Sequence, residues 1–84
     1  MTKVIEKKLG REKALGQTHK EHPRAVIQID PRQKPKSYLG TLIHEKLHIM
    51  HPDWKEPKIL KDEHDLTDLL WENNYRQVKQ GKSH

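Results

Sequence analysis

Cysteine and phenylalanine are absent from this chain, and tryptophan and tyrosine occur only twice each. Without thiols there is no disulfide staple and no thiolate metal site. Any transition-metal site must be built from His, Asp and Glu, a donor set that suits catalytic zinc better than structural zinc. Apolar residues make up 31% of the 84 residues and charged residues 35%, which is near the polar limit for a chain that must bury its own core. A folded chain of this length buries only about 60–65% of the surface its unfolded form exposes. A bound metal or a partner subunit would therefore widen a thin margin of stability. No apolar run reaches membrane-spanning length, and the opening MTKVIEKKLG lacks the apolar stretch of a signal peptide. A cytoplasmic protein with no membrane association is the expectation.

Acidic charge is also in short supply. Lys and Arg outnumber Asp and Glu by 17 to 12, for a formal charge of +5, and the pI is near 9.6. Such a balance favours encounters with nucleic acid or acidic partners without establishing either. The lysines are dispersed along the chain with no dense block, and solubility accounts for most of them.

The remaining pattern predicts one α+β domain over residues 1–84: a small antiparallel sheet of two to three short strands within about 3–30, followed by an antiparallel helical hairpin. KVIEKKL is a weak strand and ALGQTH a second. RAVIQID, residues 24–30, is the best strand, with β-branched Val26, Ile27 and Ile29 between Pro23 and Asp30-Pro31. HKEHP is short enough for a hairpin connection, and DPRQKPK is a proline-punctuated turn that cannot continue a ladder. Helix signals start at Pro35, which a first turn tolerates. Leu39, Leu42, Ile43, Leu47 and Met50 then recur at helical spacing, predicting a buried face over about 35–51. Pro52 ends that helix and Asp53 is the expected N-cap of the next. The second helix is predicted over about 55–79, burying Ile59, Leu60, Leu66, Leu69, Leu70 and Val78. The tail KQGKSH is expected to fray.

The chemistry concentrates in TLIHEKLHIMH, residues 41–51. His44 and His48 are one turn apart, so both imidazoles leave the same side of the helix and can share one small cation. Glu45 points roughly 100° around the axis, where it can approach an activated water without itself binding the metal. This is the mechanical content of the H-E-x-x-H pattern. His51 continues the stripe. A third protein ligand is needed beside an open position; His51, Glu56, Asp62, Glu63 and His64 are the candidates. Hairpin geometry favours the second helix, where Glu56 and Glu63, two turns apart, share nearly one face. The competing view is a solvated polar face with no metal.

The segments LGQTH, AVIQID, YLGTLIHEKLHIMHPDWKEPKIL and LLWENNYR, over about residues 14–76, resemble small single-domain H-E-x-x-H proteins of bacteria and phages. These are similar in outline to minimal gluzincin peptidases and more loosely to SprT-like and ImmA/IrrE-like proteins. The resemblance is carried by TLIHEKLH, by PDW followed by Glu56, and by Leu70, Trp71, Tyr75 and Arg76. It implies a zinc metallopeptidase fold with a strand edge beside the active helix. It also implies Glu56 as the third ligand with His44 and His48, and a peptide or protein substrate. The lobe that forms a substrate cleft in larger relatives has no counterpart here. In such a hydrolase Zn2+ polarises the scissile carbonyl and acidifies water, while Glu45 is the general base. His51, His64, Tyr75 or Arg76 could stabilise the oxyanion.

The other polar residues have plainer readings. His19 and His22 flank a turn and read as solvated, and His64, among Asp62, Glu63 and Asp65, reads as a solvated helix face. Trp54 and Trp71 are expected to cap the core. Arg76, Lys79 and Lys82 are expected to complement the C-terminal end of the second helix. The alternative to a peptidase is a non-enzymatic, metal-stabilised basic protein, phage-encoded, that binds nucleic acid or inhibits a host protein.

Overall fold

The β-branched run Val26–Ile29 forms the central strand, β3, of a three-stranded sheet. Its side chains alternate: Ile27 and Ile29 are 1% and 0% exposed, while Val26 and Gln28 on the opposite face are half-buried. Such a strand gains most from pairing on both edges, and it has both. β1 (Lys3–Glu6) pairs with it in parallel, and β2 (Gly16–His19) in antiparallel register. The protein, a computed structural model, is described for residues 2–9, 16–19 and 25–78, with the side chain of His19 excepted.

The α+β architecture is as expected, but the sheet is mixed, not antiparallel. The order is β1-β3-β2, so the apolar strand lies between two polar ones and β1 is left at an edge with all four residues exposed. Burial of Ile27 and Ile29 outweighs sequence adjacency of strands. The β2–β3 pairing is that of a hairpin; its connecting residues 20–24, with His22, lie outside the described residues, as does the tail 79–84.

One helix covers a face of the sheet, and a second packs on the first. α1 (Pro35–Met50) opens on Pro35 after Lys34, with no side-chain cap. It closes where the His51 N–H donates to Leu47 O and Pro52 follows. α2 (Glu56–Glu72) is preceded by Lys55, again without a side-chain cap. Asp53 is therefore not the cap; it sits in the exposed turn between the helices. The helices are antiparallel: Lys36 Nζ meets Asp68 Oδ1 at 3.1 Å near one end, and His48 Nε2 meets Glu56 Oε1 at 2.9 Å at the other.

α2 ends at Glu72, short of the expected 79. Asn74 has φ 66°, and the Tyr75 and Asn74 N–H groups donate to Leu70 O and Trp71 O, each at 3.0 Å. These paired bonds around a left-handed residue are the Schellman arrangement, and Asn accepts that φ better than other non-glycine residues. Val78 consequently lies beyond the helix, 78% exposed.

Core composition also departs from the apolar count. Tyr38 joins Ile27 and Ile29, with Leu42 and Ile49 packed against them, while Met50 is 56% exposed. On α2 only Ile59 of the expected residues is fully buried; Leu60, Leu66 and Leu69 are exposed. Each wholly buried isoleucine contributes about 1.5–3 kcal/mol, so Ile27, Ile29 and Ile59 carry much of the apolar stabilisation. A polar lock completes the frame. Asp30, 5% exposed, accepts from the Leu9 N–H at 3.0 Å and from the Arg32 guanidinium at 2.6 and 2.9 Å. Arg32 also donates to Leu9 O, which ties the segment after β1 to the turn entering α1. The Arg32 side-chain bond, reinforced by backbone N–H groups, holds the Asp30 carboxyl far below the usual carboxylate range.

Candidate metal centre

Beside the buried Ile59, the seam between the helices carries polar groups where leucine could pack. α1 contributes Gly40, His44 and His48. The buried or half-buried stripe of α2 runs Ile59, Glu63, Thr67, with Glu56 one turn before it. Polar groups between helices stabilise less than apolar ones unless they are paired, so their pairing carries the interest.

His44 Nε2 and His48 Nε2 stand 3.3 Å apart. One carboxylate bridges them, with Glu56 Oε2 at 3.1 Å from His44 Nε2 and Oε1 at 2.9 Å from His48 Nε2. The donor atoms of His44, His48 and Glu56 all lie within 4.8 Å of one another, so the three form a group able to hold a metal ion. Two nitrogens each about 2.0–2.1 Å from a tetrahedral zinc stand roughly 3.3–3.4 Å apart, and the imidazole spacing matches that edge. Neutral imidazole and carboxylate are also ligands a borderline divalent cation accepts. The cluster opens outward through Glu56: its side chain is 55% exposed, against 33% for His48 and 17% for His44.

Helix geometry accounts for the assembly. The i, i+4 spacing stacks the two rings edge to face, with centroids 4.9 Å apart. The HPDWK link then returns the chain so that the first residue of α2 faces the last turn of α1. Of the five candidates for a third ligand, Glu56 joins the group. Glu63 instead contacts the far nitrogen of His44, Nδ1, at 2.9 Å. His51 stacks on Trp54 with centroids 3.6 Å apart and rings 4° from parallel, and Lys58 Nζ sits 4.4 Å from the Trp54 ring centroid. Trp54 thus caps the helix link and not the sheet core. Asp62 pairs with Lys58, and His64 is exposed.

Glu45 occupies the adjacent flank of α1 and is 9% exposed. Its Oε1 accepts from Thr18 Oγ1 at 2.5 Å, so the carboxylate is engaged by β2. The close approach of β2 depends on Gly16: a Cβ there would meet Thr41 Cγ2 at 2.5 Å and Glu45 Cγ at 3.3 Å. Thr18 and Gly16 are residues that apolar counting overlooks. Their signal was the small, polar run GQTH in a strand expected to face a helix.

Tyr75 and Arg76 follow the C-terminus of α2, a helix length, roughly 25 Å, from its first residue, Glu56. They do not belong to this cluster. Arg76 lies over Trp71, 3.4 Å from the ring centroid, and donates to Trp71 O. With Val4, Tyr38 and Leu42 these residues line a separate cavity of about 410 Å³.

Compared with protein-family models, curated proteins and solved structures, the chain matches none. The metal-binding group therefore stands on its own geometry. No helix among the described residues is long and apolar enough to cross a membrane.

Proposed function

We propose that this protein is a zinc-dependent peptidase-like hydrolase of the H-E-x-x-H type. The observation that carries the reading is the convergence of His44 Nε2, His48 Nε2 and the Glu56 carboxylate across the helix seam. Three protein ligands leave a tetrahedral ion one position for substrate or water, and the exposed Glu56 side is the accessible one.

Held by His44, His48 and Glu56, a zinc ion would supply a Lewis acid and bring the pKa of a water toward neutrality. Glu45 would accept a proton from such a water and return it to the leaving amine. Thr18 donates to the Oε1 of this carboxylate. Thr18 belongs to β2, which among the described residues pairs with β3 on one side only. Its other edge can accept an extended peptide through backbone bonds, with little side-chain preference. The substrate class is thus an unfolded or flexible protein segment.

Burial of Glu45 against Thr18 favours a second reading, in which the ion is structural and the basic surface binds nucleic acid or an acidic protein. One experiment separates the two. Zinc-loaded protein and its Glu45→Gln variant are incubated with a denatured protein substrate, and zinc content is measured alongside. Cleavage by the parent and none by the variant, at equal zinc content, supports the hydrolase. Zinc without cleavage in both supports the structural ion, and a variant that cleaves as fast as the parent refutes the role of Glu45.

A further inference from the structure

His44 is gripped from both sides. While Nε2 faces the cluster, Nδ1 lies 2.9 Å from Glu63 Oε1, and the Glu63 side chain is only 18% exposed. A carboxylate accepts and does not donate, so the proton of this bond belongs to Nδ1. In a neutral imidazole that leaves the lone pair on Nε2, the atom directed at His48 and Glu56. The room Glu63 occupies exists because residue 40 has no side chain. A Cβ on Gly40 would stand 2.8 Å from Glu63 Oε2 and 3.5 Å from Thr67 Oγ1. A glycine in mid-helix is otherwise unfavourable.

We propose that Glu63 is a positioning residue for the metal centre: it fixes His44 as the Nδ1–H tautomer with Nε2 presented to a divalent cation. Gly40 is the notch that admits it. This rests on the metal-binding reading of His44, His48 and Glu56. Outer carboxylates of this kind fix ring orientation and raise ligand basicity, and their loss weakens metal affinity about 10–100-fold. Glu63 itself is not a ligand, because the imidazole ring lies between it and the cluster.

The test uses cobalt(II) as a visible-absorbing probe, together with nitrogen NMR of His44 in the zinc-loaded protein. The unaltered chain should bind cobalt and show His44 protonated at Nδ1 and metal-shifted at Nε2. Glu63→Leu should weaken cobalt binding by about 10–100-fold. Glu63→Gln, whose amide oxygen still accepts the Nδ1 proton, should lose less. Gly40→Ala adds a methyl that crowds the flexible end of Glu63 and makes ordinary contact with Thr67 Oγ1, in a helix that alanine favours; it keeps the fold intact and should weaken binding to an intermediate degree. If the unaltered chain takes up no cobalt, the metal reading itself fails. If it binds cobalt and both Glu63→Leu and Gly40→Ala bind equally well, or if His44 carries its proton on Nε2, the role of Glu63 alone is refuted.

Discussion

Tyr38 offers a quantitative test of how β1 is held. Its hydroxyl donates to Glu6 Oε2 at 2.6 Å, joining the edge strand to the first turn of α1, and the residue is 9% exposed. Burial, followed by the adjacent Glu6 carboxylate, pushes the phenol from 10.0 up to about 12. Because the folded value lies above the unfolded one, the neutral phenol stabilises the fold fully below about pH 10, and the contribution is lost as pH rises toward about 12. Two pH units correspond to about 2.7 kcal/mol. Most of that is the penalty on a buried phenolate, felt only at alkaline pH; at neutral pH the hydrogen bond to the solvent-exposed Glu6 contributes about 1–2 kcal/mol. Urea denaturation of the parent and Tyr38→Phe should therefore differ by about 1–2 kcal/mol at neutral pH. The difference should shrink above pH 10, since lysine titration is common to both chains. A Tyr75→Phe background leaves Tyr38 as the sole phenol for absorbance titration. A stability difference that stays flat through the alkaline range, or an unshifted titration, would refute the reasoning.

Other measurements bear on separate links. Saturating the metal group at about a hundredfold excess over Kd should stabilise the fold by about 2.7 kcal/mol, raising Tm by roughly 10–20 °C for a domain of this size; a chelator should reverse the shift, and His48→Ala should abolish it. Gly16→Ala should cost about 1–3 kcal/mol by overpacking, because Thr41, whose hydroxyl donates to Gln33, cannot rotate freely away; an unchanged urea midpoint would contradict the close approach of β2 and α1. The depressed Asp30 carboxyl stabilises the fold above the unfolded value of 3.8, and that contribution is lost as pH falls through its lower folded value. Asp30→Asn should therefore be less stable than the parent at neutral pH, with the gap closing in acid denaturation curves.

Much of this was legible from residue order. The prolines at 35 and 52 bounded α1, and the β-branched run marked β3. The spacing of His44 and His48 put two imidazoles on one side of a helix. What periodicity could not reveal was which stripe of α2 turns inward. Leu60, Leu66 and Leu69 suggested an apolar face, yet Glu56, Glu63 and Thr67 line the seam, because the partner stripe of α1 is itself polar and glycine-notched. Strand order was hidden for a related reason: β1 and β2 have similar polarity, and only the demand of Ile27 and Ile29 for two neighbours decides which strand is central. The early end of α2 had a readable sign in Asn73-Asn74, masked by the helical spacing of Val78.

Among the described residues, α2 rests on α1 and on none of the strands. The sheet with its covering helix can thus remain intact while the outer helix swings away as a separate cooperative unit. In hydrogen exchange, amides of Glu56–Glu72 should open at lower free energy than those of Pro35–Met50, and a cation bridging the two would close that gap, acting as a latch on a door hung from one post.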